Sequence, residues 1–181
     1  MTFYGAHDLA ESLRTVRRNT IRIAEDIPEE KYGFRPVPET RAVAQLLAHI
    51  ALGPRFQQQI HQVERRTTLE GFNFPAFFQQ VGEEEGKPRS KADIIEMLTR
   101  DGAAWASWID GVSDAFLAER VAMAPGMTPS SKSRFELLLS TKEHEMHHRG
   151  QLMLIERLMG IVPHLTREMQ ARMAQAQQAA R

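Results

Sequence analysis

Residues 133–163 read SRFELLLSTKEHEMHHRGQLMLIERLMGIVP, and their spacing decides the fold. Ser133 with Glu136 three residues on is a capping box, which satisfies backbone donors at a helix start. Gly160 stands where a left-handed C-terminal cap belongs, and Pro163 bars continuation. The stretch therefore predicts one helix running to Met159, about 26 residues and ~39 Å long at 1.5 Å per residue. On a helical wheel, Leu137, Thr141, His144, His148, Gln151 and Ile155 fall within about 80° of one another. His144 and His148 thus share the core-facing stripe, one turn apart.

Upstream, the apolar spacing is helical almost throughout. Leu9, Leu13, Val16, Thr20, Ile23 and Ile27 recur at steps of four and three, and Pro28 stops that helix. PEEKYGFRPVPET (28–40) is a proline-rich connector. A second helix is expected from an N-cap at Thr40, through Val43, Leu46, Leu47, Ile50 and Phe56. Pro54 inside it removes a backbone donor and should kink or split it. GFNFPAFFQQVGEEEGKPR (71–89) is a connector too apolar for a plain linker. Part of it should pack over the core, with PAFFQQV a short helix led by Pro75. Ser90 and Asp93 form another capping box and open a third helix through Ile94, Leu98, Trp105 and Trp108. No run alternates as a strand does, and no Asn-Gly or Asp-Gly hairpin signal occurs. The expectation is an all-α fold. It is a four-helix bundle with long connections between helices one and two and between two and three. Residues 1–165 read as a single helical domain, and 166–181 as an Ala/Gln-rich tail, a weak helix or disordered.

The chain has 181 residues, enough for one domain with a sizeable core. Lys plus Arg and Asp plus Glu both number 23, so no global charge draws in nucleic acid or an anionic membrane. Cysteine is absent, which leaves only histidine and carboxylates to hold a metal and no protein thiol to act as nucleophile. No signal-like or membrane-spanning run occurs, so a cytoplasmic setting is expected.

HEMHH (144–148) fits H-E-x-x-H, the zinc-protease signature. A metzincin would need glycine at 151 and histidine at 154, where Gln151 and Leu154 stand. The segment carrying Glu168 lies beyond Gly160 and Pro163, and the β-sheet of such proteases is missing. A protease is therefore set aside. Two imidazoles facing inward from one helix still need partners for their ring nitrogens, and a metal is one way to supply them. A third inward histidine is His49, on the face of helix two shared by Leu46, Gly53 and Phe56. Gly53, one turn on, leaves room beside it. His7 and His164 read as surface residues and His61 sits in a polar stretch, while His147, off the metal-facing stripe, reads as a surface or interface residue or else a group supporting the ligands from behind.

IPEEKYGFRP (27–36), VAQLLAHI (43–50) and HEMHHRGQLMLIERLMGIVP (144–163) resemble the DinB/YfiT-like superfamily over roughly residues 5–163. The resemblance implies a helical bundle, often dimeric, with a divalent metal held by three histidines. Residue by residue, these fall on His49, His144 and His148. Zinc or nickel come foremost, with manganese or iron also admissible, since imidazoles alone do not choose. Some relatives transfer a low-molecular-weight thiol to an electrophile.

Three protein ligands leave a metal position open, as catalytic sites do. The leading expectation is a metal-dependent enzyme in which a coordinated thiol loses its proton and attacks a small electrophilic substrate. Arg149 and Gln151 would then contact the cofactor or support the ligands. One alternative is a hydrolase using a metal-activated water, with Glu145 as base. The other is a non-catalytic metal- or ligand-binding protein of a stress response. Gly150, costly by ~1 kcal/mol in a helix interior, suggests close approach of another helix across a homodimer.

Overall fold

The structure, a computed structural model, describes residues 4–179. The ends of the expected domain and tail, residues 1–3 and 180–181, lie outside the described residues. The chain is mainly helical.

Helix α1 (Ala6–Asp26) buries Leu9, Leu13, Val16, Thr20 and Ile23 along one face and ends before Pro28. The connector is not slack. The Tyr32 hydroxyl donates to the Ala24 carbonyl at 2.7 Å. The carbonyls of Phe34 and Tyr32 accept from Val43 and Ala44. These two carbonyls satisfy the first donors of α2 (Val43–Leu52), which therefore starts three residues beyond the expected Thr40 cap. The break expected at Pro54 is present: a short helix α3 (Arg55–Gln57) follows and widens into a π turn over Gln58–Val63.

Helix α4 (Phe74–Glu85) is longer than PAFFQQV, with Asn73 Oδ1 capping Ala76 at 3.1 Å. Helix α5 (Lys91–Asp110) opens on the Ser90–Asp93 box, and α6 (Asp114–Ala118) is a short turn. Next come two three-residue strands, β1 (Arg120–Ala122) and β2 (Ser131–Ser133), paired antiparallel with Val121 opposite Lys132. The expectation of no strands is corrected here: three residues are too few for an alternating pattern to register. Helix α7 (Arg134–Leu158) is capped by Ser133 and Glu136 and ends at Gly160, whose φ of +79° is the left-handed cap. Helix α8 (His164–Ala179) follows, and from Arg167 onward its described side chains are exposed.

Four helices carry the packing. α1 lies against α5 and α7, and α2 lies against the same two. One apolar cluster gathers Ile23, Ile27, Leu47, Ile50, Leu98 and Leu152. A second gathers Leu9, Leu13, Trp105, Ile109 and Leu138. Along α1 the two are separated at Arg17, buried and paired with Glu145 of α7.

Two further histidines are buried: His164, whose surface reading this corrects, and His61 of the polar stretch. His61 accepts at Nδ1 from Arg134 (2.8 Å) and faces the Gln57 amide oxygen from Nε2 (3.0 Å). Burial, then the Arg134 charge, push its pKa down to about 4, so the ring is neutral. His164 is covered where α8 crosses α1 and faces Asn19 at 3.4 Å. His7 is exposed and pairs with Asp110.

Candidate metal centre

Helix periodicity delivers His144 and His148 to one face of α7, and α2 runs alongside to bring His49 opposite them. The three ring centroids form a near-equilateral triangle: 4.8 Å from His49 to His144, 4.7 Å to His148, and 4.5 Å between the α7 pair. One ligand atom from each lies within 4.8 Å of the others, and the group could hold a metal ion. The Nε2 atoms of His49 and His144 are 3.0 Å apart. Tetrahedral coordination at about 2.0–2.1 Å per nitrogen needs roughly 3.3 Å, so this pair must open by only a few tenths of an ångström.

Two of the rings are oriented from behind. His49 Nδ1 donates to Glu85 Oε2 at 2.8 Å, and Glu85 Oε1 accepts from Arg41 Nε at 2.5 Å. Burial opposes the charge on Glu85, but the bonds from Arg41 and His49 outweigh it and hold the pKa below the ordinary value. His148 Nδ1 donates to Gln151 Oε1 at 2.8 Å, while the Gln151 amide nitrogen reaches His147 Nε2 at 3.1 Å. These bonds fix the protonated nitrogen on Nδ1 and leave Nε2 of His49 and His148 as lone-pair donors. His144 is seated by an absence: a Cβ on Gly53 would stand 2.8 Å from its Nδ1 and 2.9 Å from its Cε1. The space expected beside His49 is therefore used by His144.

The electrostatics favour neutral rings at His144 and His148. Burial, then the neighbouring imidazoles and Arg41, push His144 down to about 4. His148 is lowered as well, by burial first, against the opposing bond from Gln151. Neutral imidazole is the ligating form. The donor set, its outer hydrogen bonds and the Gly53 space all fit a divalent cation.

The remaining expected site residues divide. Gln151 touches His148 and so joins the centre. Glu145 does not: it is buried against α1, with both oxygens on Arg17. That corrects its reading as a base, because a carboxylate locked on a guanidinium has no free edge toward the histidines. Arg149 is half-buried beyond His148 and lines neither cavity described next. Burial lowers its pKa against the pull of Glu145.

Two cavities flank the triad. One, of about 730 Å³, is bordered by His148, Gln151, Arg35, Gln45 and Leu154. The other, of about 370 Å³, is bordered by His49, His144, Phe56, Phe77 and Phe78. Arg41 and Glu85 border both. Neither Glu85 nor Arg41 was anticipated from sequence. They lie 36 residues after and eight before His49, and only the docking of α4 on α2 gives those separations meaning.

Comparison with known proteins agrees with this architecture. No curated protein matches the chain. Among solved structures it is similar to the crystal structure of a DinB-like protein, YjoA, from Bacillus subtilis. The TM-score is 0.61 at 18% identity, covering 84% of this chain and 92% of that one. At that identity the likeness speaks for the fold alone. The family model of the DinB superfamily matches residues 12–152, a segment that contains all three histidines. That match spans well over half of the sequence, and the chain belongs to the DinB superfamily.

Proposed function

We propose that this chain is a divalent-metal-dependent enzyme on a DinB-type four-helix bundle, activating a low-molecular-weight thiol for transfer to an electrophilic small molecule. The observation that carries this reading is the two-sided site: cavities open on either side of one triad of imidazoles. A two-substrate reaction needs both reactants at one centre in attack geometry. The bound cation, zinc or nickel foremost, supplies Lewis acidity that lowers the pKa of a thiol held on it. His49, His144 and His148 would hold it, and Glu85 and Gln151 would fix the rings. With no cysteine in the chain, the sulfur comes from the second substrate. A cytoplasmic setting, where such thiols stay reduced, completes the reading.

Hydrolysis is the less favoured use of the same centre, because Glu145 is committed to Arg17. Metal analysis of the purified protein and of His49→Ala tests the shared premise. A panel of cellular thiols with a chromogenic electrophile tests the rest. Turnover that requires thiol supports transfer, turnover without it supports hydrolysis, and neither leaves a binding protein.

The chain is also proposed to pair as a homodimer. Met146, Leu154 and Leu158 are exposed at multiples of four along α7, and Gly150 between them has open space over its missing Cβ. A helix from a second copy would cover that stripe and close the rim at Leu154. Sedimentation over a range of concentrations checks it; a monomer throughout rejects it.

A further inference from the structure

Helix α4 carries Phe74, Phe77, Phe78 and Val81, yet none of its side chains is buried. Phe78 is 52% exposed. An amphipathic helix ordinarily sinks its apolar face into the core. Here Phe74 and Val81 pack only partly against the core, and Phe77, Phe78 and Val81 wall a cavity. The small residues Gly53, Ser140 and Thr141 also line this slot, whose border includes His49 and His144. The aromatics already pack as rings prefer. Phe78 stacks on Phe56 at 5.8 Å, and Phe77 stands edge-on to Phe78 at 5.5 Å. A further ring entering the slot would meet one face and one edge. Arg41 supplies charge at the slot's border. Among the described residues only its Nε is hydrogen-bonded, to Glu85, which leaves the terminal nitrogens for an acid.

We infer that this slot is the subsite for an aromatic ring of the electrophile, and that Arg41 binds an acidic group on the same molecule, so that the substrate class is a small aryl acid. The inference rests on the two-substrate reading above, with the larger cavity left to the thiol. It adds the chemical class of the acceptor. A planar ring matches a slot lined by Phe56, Phe77 and Phe78; a saturated ring of the same size presents no face to stack.

Titration calorimetry of the full chain, metal-loaded and metal-free, tests this with trans-cinnamate, 3-cyclohexylacrylate and cinnamyl alcohol. Cinnamate should bind roughly three- to tenfold more tightly than the cyclohexyl analogue. It should also exceed the alcohol, and Arg41→Gln should erase that second preference. Phe78→Ala removes a largely exposed ring, so the fold is retained, and the aromatic preference should shrink. Gly82→Phe, at an open position bordering the slot, should block it; circular dichroism confirms that each variant is folded. Equal binding of cinnamate and the cyclohexyl acid overturns the inference, as does cinnamate binding indifferent to both slot variants. The two readings fail separately. Metal retention without aromatic preference sinks the subsite alone. Aromatic preference in a chain that holds no metal sinks the thiol-transfer reading and leaves the subsite standing.

Discussion

One guanidinium grips both oxygens of Glu145: Arg17 Nε lies 2.9 Å from Oε1 and Nη2 lies 2.9 Å from Oε2. The pair joins α1 to α7 inside the core, and Arg17 Nη1 also donates to the Leu98 carbonyl of α5 at 2.9 Å. Gly102 makes way, since a Cβ there would stand 2.8 Å from Arg17 Cγ. The glutamate of the H-E-x-x-H pattern is thus one half of a pair that ties α1, α5 and α7 together. Glu145→Ala leaves a buried cation unpaired and should cost about 3–5 kcal/mol. Arg17→Met with Glu145→Leu should recover most of that loss, because neither charge is then buried. Urea denaturation measures both. A Glu145→Ala chain as stable as the parent would deny the pair its structural role.

Glu85 should matter to metal affinity without being a ligand. It accepts from His49 Nδ1, and so sets both the tautomer and the angle of that ring. Removing such a partner typically weakens a site by about 10–100-fold. Glu85→Gln keeps the shape and removes the charge, so a loss of that order is expected in competition with a chromophoric chelator. Unchanged affinity would mean that His49 is oriented by packing alone.

Gly53→Ala separates the site from the fold. The backbone at Gly53 is ordinary right-handed helix, which alanine adopts freely. Its Cβ, however, would collide with the His144 ring. The variant should melt close to the parent temperature yet lose at least tenfold in metal affinity, by the arithmetic of about 1.4 kcal/mol per decade. Parent-like affinity would show that the ring has slack to move aside.

How far the sequence disclosed this protein follows from the range of the interactions involved. Helix α7 was legible end to end, because caps, stop signals and the period of 3.6 all act within a few residues. The same periodicity converted linear spacing into a shared face, and His49, His144 and His148 do meet. Interactions between distant segments left no such mark. Glu85 reaches His49 only because α4 folds back over α2. His61 is one more member of a polar stretch until Arg134, 73 positions later, is laid against it. His164 follows Pro163 like the start of a free tail, yet α8 turns back toward Asn19.

Glu156 gives the stability of this protein a specific pH dependence. It is 0% exposed, and neither carboxylate oxygen has a hydrogen-bond partner among the described residues. Burial first, then the Asp26 charge, push its pKa up to about 7, against the opposing charges of Arg167 and Arg157. In the unfolded chain a glutamate releases its proton near pH ~4.3. Between those two values the folded state keeps a proton that the unfolded state gives up. Stability from this group therefore falls as pH rises from about 4.3 to about 7, and is level above that. Glu156→Met removes the ionisation and the unpartnered oxygens together. Its gain over the parent should be larger at pH 8 than at pH 5, with the pH-dependent part no more than about 3–4 kcal/mol. Urea unfolding at the two pH values reads the difference directly. A gain of equal size at both would mean that Glu156 is ionised in the folded protein throughout, with a partner for its charge beside α8.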